Sequence, residues 1–231
     1  MPFELESEIL RRVDHPQIPG LVEAFSTGDV HYIVQEYIEG LPLSSLLDTG
    51  RRFSEAEVKS IISQLLSILH GLHRPVQKEN AVIHRDLRLS NLLLKDGQVF
   101  LIDFGFARFL DPSQFAFCPD PFDYKFGGNE SSEDEAPKHV KDLPSIKKIP
   151  GAKTYKLLRR EISPRSDLFG AGVVAVDLFS SWVEDEALFE RPWQEVLPLS
   201  GPFVAFLQKL LSREDGFDSA AEALEYLGAI F

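Results

Sequence analysis

At 231 residues the chain suffices for one large domain, or one domain with part of another. Its 44 % hydrophobic and 26 % charged content, with 18 phenylalanines, supports a globular core and excludes a disordered or collagen-like chain. A net charge of −12 argues against broad binding to nucleic acid or anionic membrane, both of them polyanions, and no run of ~18 uninterrupted apolar residues offers a membrane span.

The opening MPFELESEIL carries acids early and lacks the basic start of a signal peptide. Apolar residues at 5, 9, 10 and 13 predict a helix over residues 3–13, ended by the prolines and glycine of HPQIPG. LVEAFSTGDVHYIVQEYI reads as two strands around a turn at STGD, and GLPLSSLLDTG as a turn and a short helix. Ser54 followed three residues later by Glu57 is a capping box, opening a long helix with apolar residues at 58, 61, 62, 65, 66, 68 and 69. After the loop RPVQKEN, the segment NLLLKDGQVFLIDFG predicts a hairpin turning at KDGQ.

Residues 111–153 form a long charged insert, acidic in DPFDYKFGGNESSEDE and basic in KHVKDLPSIKKIPGAK. It reads as a solvated loop, with Ser131 and Ser132 as ordinary polar residues. Cys118, the single cysteine, excludes an internal disulfide and suits a reducing, cytoplasmic setting. SPRSDLFGAGVVAVDLF is nearly continuously apolar from 168 to 179 and predicts a buried helix, in which Gly170 and Gly172 serve close packing. Two amphipathic helices split by REDGFD complete the chain.

Two short motifs carry a resemblance. His84-Arg85-Asp86-Leu87-Arg88-Leu89-Ser90-Asn91 is followed across the predicted hairpin by Asp103-Phe104-Gly105. In this spacing the chain resembles the eukaryotic-like serine/threonine protein kinases, most closely the bacterial type. The resemblance implies an α+β, protein-kinase-like fold: a partial small lobe in residues 1–37 (one helix and two strands) and a helical large lobe in 38–231.

Phosphoryl transfer gathers negative charge in its transition state, so positioning and cations do most of the work. By resemblance Asp86 is the base, Arg88 stands where a lysine usually neutralises the γ-phosphate, and Asn91 and Asp103 hold Mg²⁺. Glu36 and Ile38 would meet the adenine of ATP through their backbone, Gln35 would guard the pocket, and Leu93 would form its floor. Glu6 falls at the place of the small-lobe helix glutamate. Leu10, Leu21, His84 and Phe104 match an apolar stack between the lobes, Arg85 and Gly105 complete the motifs, and Asp167 matches a buried acid that anchors the catalytic loop.

The chain departs from the family in lacking a glycine-rich loop and the lysine that pairs with the small-lobe glutamate. The strands in residues 21–37 would therefore expose an edge and an apolar face, calling for a partner or an upstream segment to cover them. The A-P-E motif is also missing: TYKLLRRE stands near its place, and Asp218 falls near the position of the arginine that normally pairs with it. Three functions follow. The first is a kinase that transfers phosphate to a protein hydroxyl. The second is a pseudokinase acting as a binding module. The third is a small-molecule phosphotransferase, disfavoured because Arg85 replaces the glycine of its H-G-D motif.

Overall fold

The computed structural model describes residues 2–115, 161–185, 187–188, 191–212 and 214–231. The charged insert beyond residue 115, with Cys118, Ser131 and Ser132, lies outside the described residues, as does most of TYKLLRRE.

Helix α1 (Pro2–Arg12) has Glu4 in its first turn and Arg11 and Arg12 in its last, both matched to the helix dipole. It buries Leu5, Ile9 and Leu10. Strands β1 (Leu21–Thr27) and β2 (Val30–Gln35) follow as an antiparallel pair, turning at Gly28 with φ 60°, a conformation that suits glycine. Phe25 faces Tyr32 across the pair, with the rings stacked at 4.9 Å. Ile33 packs against the core, while Val30, Tyr32 and Val34 on the opposite face are 53 %, 44 % and 40 % exposed.

β3 (Leu41–Pro42) runs directly into α2 (Leu43–Asp48). Helix α3 (Glu55–His73) starts at the predicted capping box: Glu57 N donates to Ser54 Oγ, and Ser54 N donates to Glu57 Oε2 at 2.9 Å. Its apolar stripe from Val58 to Leu72 is buried. The two-residue strands β4 (Val82–Ile83) and β7 (Arg108–Phe109) pair antiparallel. Between them lies the hairpin of β5 (Leu92–Lys95) and β6 (Gln98–Leu101), with β3 on the outer side of β5. Its turn places Asp96 at φ 49° and Gly97 at φ 79°, the left-handed pair that a two-residue hairpin requires.

Helix α4 (Pro164–Leu178) is buried continuously from Ser166 to Leu178. It packs between α3 and α6 (Gly201–Leu210), with the short α5 (Trp193–Val196) preceding α6 and α7 (Ala220–Gly228) lying against α3. Gly172 permits the closest approach, since a Cβ there would sit 3.0 Å from Leu210 and Leu211 side-chain atoms. Arg165, at the start of α4, donates from Nη2 to the carbonyls of Glu214 (3.3 Å) and Gly216 (3.5 Å). A guanidinium on the helix thus ties down the REDGFD loop, near Asp218, which stands close to the position where the resemblance implies an arginine.

Candidate active site

The loop from His84 to Arg88 connects β4 to a 3-10 turn at Leu89–Asn91, which opens into β5. Its shape is set from below by one carboxylate. Asp167 is fully buried in α4, and its oxygens accept His84 N at 2.8 Å and Arg85 N at 2.7 Å. His73, in the last turn of α3, donates from Nε2 to Asp167 Oδ2 at 2.9 Å. Burial works to raise the Asp167 carboxyl, but the His73 hydrogen bond, the nearby imidazole and the Arg85 N–H hold it below its ordinary value. Arg85 has φ 67°, which costs a non-glycine residue about 1–2 kcal/mol; the two N–H bonds to Asp167 fix that conformation.

His84 is fully buried. Its Nδ1 accepts Asp86 N at 3.3 Å and its Nε2 faces Ile102 O at 3.3 Å, so the neutral ring carries its proton on Nε2. Burial pushes its pKa down, against the charges of Asp167 and Asp86. The ring meets Phe104 edge-on at 4.9 Å. Leu10 is buried in the core and Leu21 is half-buried against it.

The Asp86 side chain is 1 % exposed, whereas that of Arg88 is 47 % exposed. Arg88 donates both Nε, at 3.0 Å, and Nη2 to Asp86 Oδ2. Asn91 Nδ2 donates to the same oxygen and to Asp86 O, each at 3.0 Å. This use of the Asn91 amide nitrogen leaves Oδ1 as its remaining ligand atom. Ile102 N donates to Asn91 O at 3.0 Å, which sets Asn91 beside the segment that carries Asp103. Asp103 sits at φ 68°, and one of its carboxylate oxygens accepts Gly105 N at 3.2 Å.

Glu6 reaches the same segment from α1. A Cβ built on Gly105 would lie 3.3 Å from Asp103 Oδ1 and 3.7 Å from Glu6 Oε2, so the two carboxylates flank one glycine. Burial, then the charge of Asp103, raises the Glu6 carboxyl, and a hydrogen bond from Phe104 N partly offsets them.

Residues 36–40 connect β2 to β3. Glu36 exchanges backbone and side-chain hydrogen bonds with Gly20: Glu36 N to Gly20 O at 2.9 Å, and Gly20 N to Glu36 Oε2 at 3.0 Å. Gln35 Nε2 donates to Pro19 O at 3.1 Å. Gly40 N donates to Ile38 O at 2.8 Å, and Gly40 lies flat on β5, its Cβ direction 3.3 Å from Leu93 Cβ. Half-buried Leu93 pairs with Pro42. The residues expected from sequence thus fall into two groups. Asp86, Arg88 and Asn91 touch one another, with Asp103, Phe104 and Gly105 on the neighbouring segment and Glu6 reaching it from α1. Glu36, Ile38 and Leu93 are held apart from these, by Gly20, by Gly40 and by Pro42 of β3.

His73, Gln17 and Gln64 were not anticipated. His73 extends the buried stripe of α3 by one turn beyond Leu69, and that is the signal that could have marked it. Asn91 and Asp103 present hard oxygen atoms, the donor type that Mg²⁺ takes, and two such ligands suit a metal that keeps waters and nucleotide oxygens. Among the described residues there is no cluster of three or more His, Cys, Asp or Glu that could hold a metal ion. No described helix is long and apolar enough to cross a membrane.

Residues 3–124 match the protein kinase domain model. The chain is 36 % identical over 113 residues to the probable serine/threonine-protein kinase YbdM of Bacillus subtilis, covering 48 % of this chain and 42 % of that relative. It is 26 % identical over 235 residues to serine/threonine-protein kinase B of Synechocystis, covering 97 % of this chain and 37 % of the relative. A probable myosin light chain kinase of Dictyostelium discoideum is 39 % identical over 116 residues, 49 % of this chain and 36 % of its own length. The chain therefore spans well under half the length of these relatives. With its catalytic-type loop, its Asp-Phe-Gly segment and a domain match over more than half its length, this chain belongs to the protein kinase domain family, its resemblance lying with the bacterial-type serine/threonine kinases.

Proposed function

We propose that the chain carries the phosphotransfer centre of a serine/threonine protein kinase, with residues 1–37 as a partial small lobe and 38–231 as the large lobe. The observation that carries this reading is the Asp86 carboxylate, buried, bonded by Arg88 and Asn91, and mounted on a loop fixed by Asp167. Asp86 would accept the proton of a protein hydroxyl as that oxygen bonds to the γ-phosphorus of ATP and the bond from that phosphorus to the bridging oxygen breaks, releasing ADP. Arg88, half in solvent at the mouth, holds Asp86 in place and supplies positive charge beside the transferring phosphoryl group. Asn91 Oδ1 and the Asp103 carboxylate would hold Mg²⁺, which would supply positive charge against the phosphates of ATP. Glu36 and Ile38 present backbone groups to adenine above Leu93, and a cytoplasmic location suits this chemistry.

A second reading, a binding module with impaired catalysis, is favoured by one feature. Glu6 has Asp103 and Phe104 N as neighbours, and no cation is paired with it among the described residues. The exposed face of Val30, Tyr32 and Val34 is where a partner or a further segment would sit.

Calorimetric titration of Mg·ATP into the chain and its Asp103→Ala variant tests the first reading. Metal-dependent binding lost in the variant supports it, followed by phosphate transfer to a protein that falls about 10²–10⁴-fold in Asp86→Asn. Absence of heat at millimolar nucleotide favours the binding module.

A further inference from the structure

Asp103 stands two residues beyond the end of β6, and α1 with Glu6 is tethered by the connector between α1 and β1. Two glutamines join these parts. Gln17, in the connector, donates from Nε2 to Val99 O at 2.8 Å and to Gln64 Oε1 at 3.0 Å. Gln64, on α3, accepts Val99 N at its Oε1 (3.0 Å) and donates from Nε2 to Gly97 O at 2.9 Å. Leu101 N donates to Gln17 O at 3.0 Å.

The polarity of this clasp is fixed by backbone. The Val99 carbonyl only accepts and its N–H only donates, so Gln17 must present its NH₂ and Gln64 its oxygen. Neither amide can turn over without setting like against like. The segment bearing Asp103 is thereby gripped on both sides: at Val99 and Leu101 by the connector and α3, and at Phe104 N by Glu6. Asp103 itself is in the left-handed region at φ 68°, a conformation that persists only where its surroundings over-determine it.

We infer that Gln17 and Gln64 are positioning residues: they fix α1 and β6 to one another, and so aim Asp103 at the metal and nucleotide. This rests on the reading of Asp103 as a metal-holding residue.

Three substitutions separate polarity from packing. Gln64→Glu keeps the oxygen that serves Gln17 and Val99 N, and gives up only the exposed donation to Gly97 O. Gln64→Leu removes it. Gln17→Glu puts oxygen against both Val99 O and Gln64 Oε1. Mg·ATP affinity and amide exchange are measured on the 231-residue chain. Gln64→Glu should weaken binding less than Gln64→Leu does. Gln64→Leu and Gln17→Glu should each weaken binding about fivefold. In both of these, exchange at Phe104 and Gly105 should quicken about tenfold while α6 and α7 stay protected.

Parent-like affinity in Gln17→Glu overturns the inference. So does equal weakening in Gln64→Glu and Gln64→Leu, or a quickening spread evenly over the chain, which marks a role in global stability alone. Should the parent chain take up no Mg·ATP, the nucleotide-site reading fails by itself. The clasp is then judged on exchange at Phe104 and Gly105, where parent-like rates in Gln17→Glu reject it.

Discussion

His73 and Asp167 are joined at 2.9 Å inside the core, tying the end of α3 to the first turn of α4 beneath the His84–Arg88 loop. The Asp167 carboxylate there serves three donors at once, since His84 N and Arg85 N also bind it. In Asp167→Asn, one oxygen becomes an NH₂ facing donors. The loss should be about 3 kcal/mol, seen as a Tm lower by roughly 10 °C. A Tm within a degree or two of the parent would show that the loop holds its shape without this anchor.

Glu6 and Asp167 predict opposite pH responses. Glu6 lies above its ordinary 4.5, so its contribution is fully present below that value and is lost as pH rises through the folded-state value. Asp167 lies below its ordinary 3.8, so its contribution is present above that value and is lost as pH falls through the folded-state value. Glu6→Gln removes the first dependence alone. Relative to the parent, its unfolding free energy should rise as pH increases above the ordinary 4.5. Denaturant titrations across that range check this, and a constant difference would mean that burial and Asp103 do not bear on Glu6.

Arg88 places two N–H groups on a single oxygen of Asp86. A lysine can supply only a point charge there, and alanine nothing. If the site transfers phosphate, kcat should fall in the order parent, Arg88→Lys, Arg88→Ala, the last by roughly tenfold, or ~1.4 kcal/mol of barrier. Equal rates for lysine and alanine would show that charge at this position is idle.

Much of this architecture could be read in advance from local chemistry. The capping box at Ser54 and Glu57, the turn at Asp96 and Gly97, and the all-round apolar run of α4 each depend on neighbours a few positions away, and each stands where expected. The β4–β7 pair was not legible, because two residues per strand carry no periodicity. Gln17 was equally silent: its partners stand 47 and 82 positions along the chain, and a glutamine in a loop looks like any solvated residue. The grouping of Asp86, Arg88 and Asn91 was suggested by their motif, whereas the place of His73 under it depends on the crossing of α3 and α4.

Gly172 gives a packing test apart from the site. Alanine gains about 1 kcal/mol in helix propensity but meets Leu210 and Leu211 atoms at 3.0 Å. Overpacking of about 1–3 kcal/mol should prevail, lowering the urea midpoint. A raised midpoint would mean that α6 yields freely.

Asp103 is held to its identity by two unrelated demands. Its carboxylate is the acid of the Asp-Phe-Gly segment, and its backbone at φ 68° admits asparagine and glycine but penalises most other side chains. The tolerated replacements are therefore short side chains or none. Across many generations this position can lose its charge without losing its shape, because asparagine fits the same backbone. If Asp103 holds the ion as proposed, that single exchange would silence the chain as a catalyst while its fold recorded almost nothing of the event.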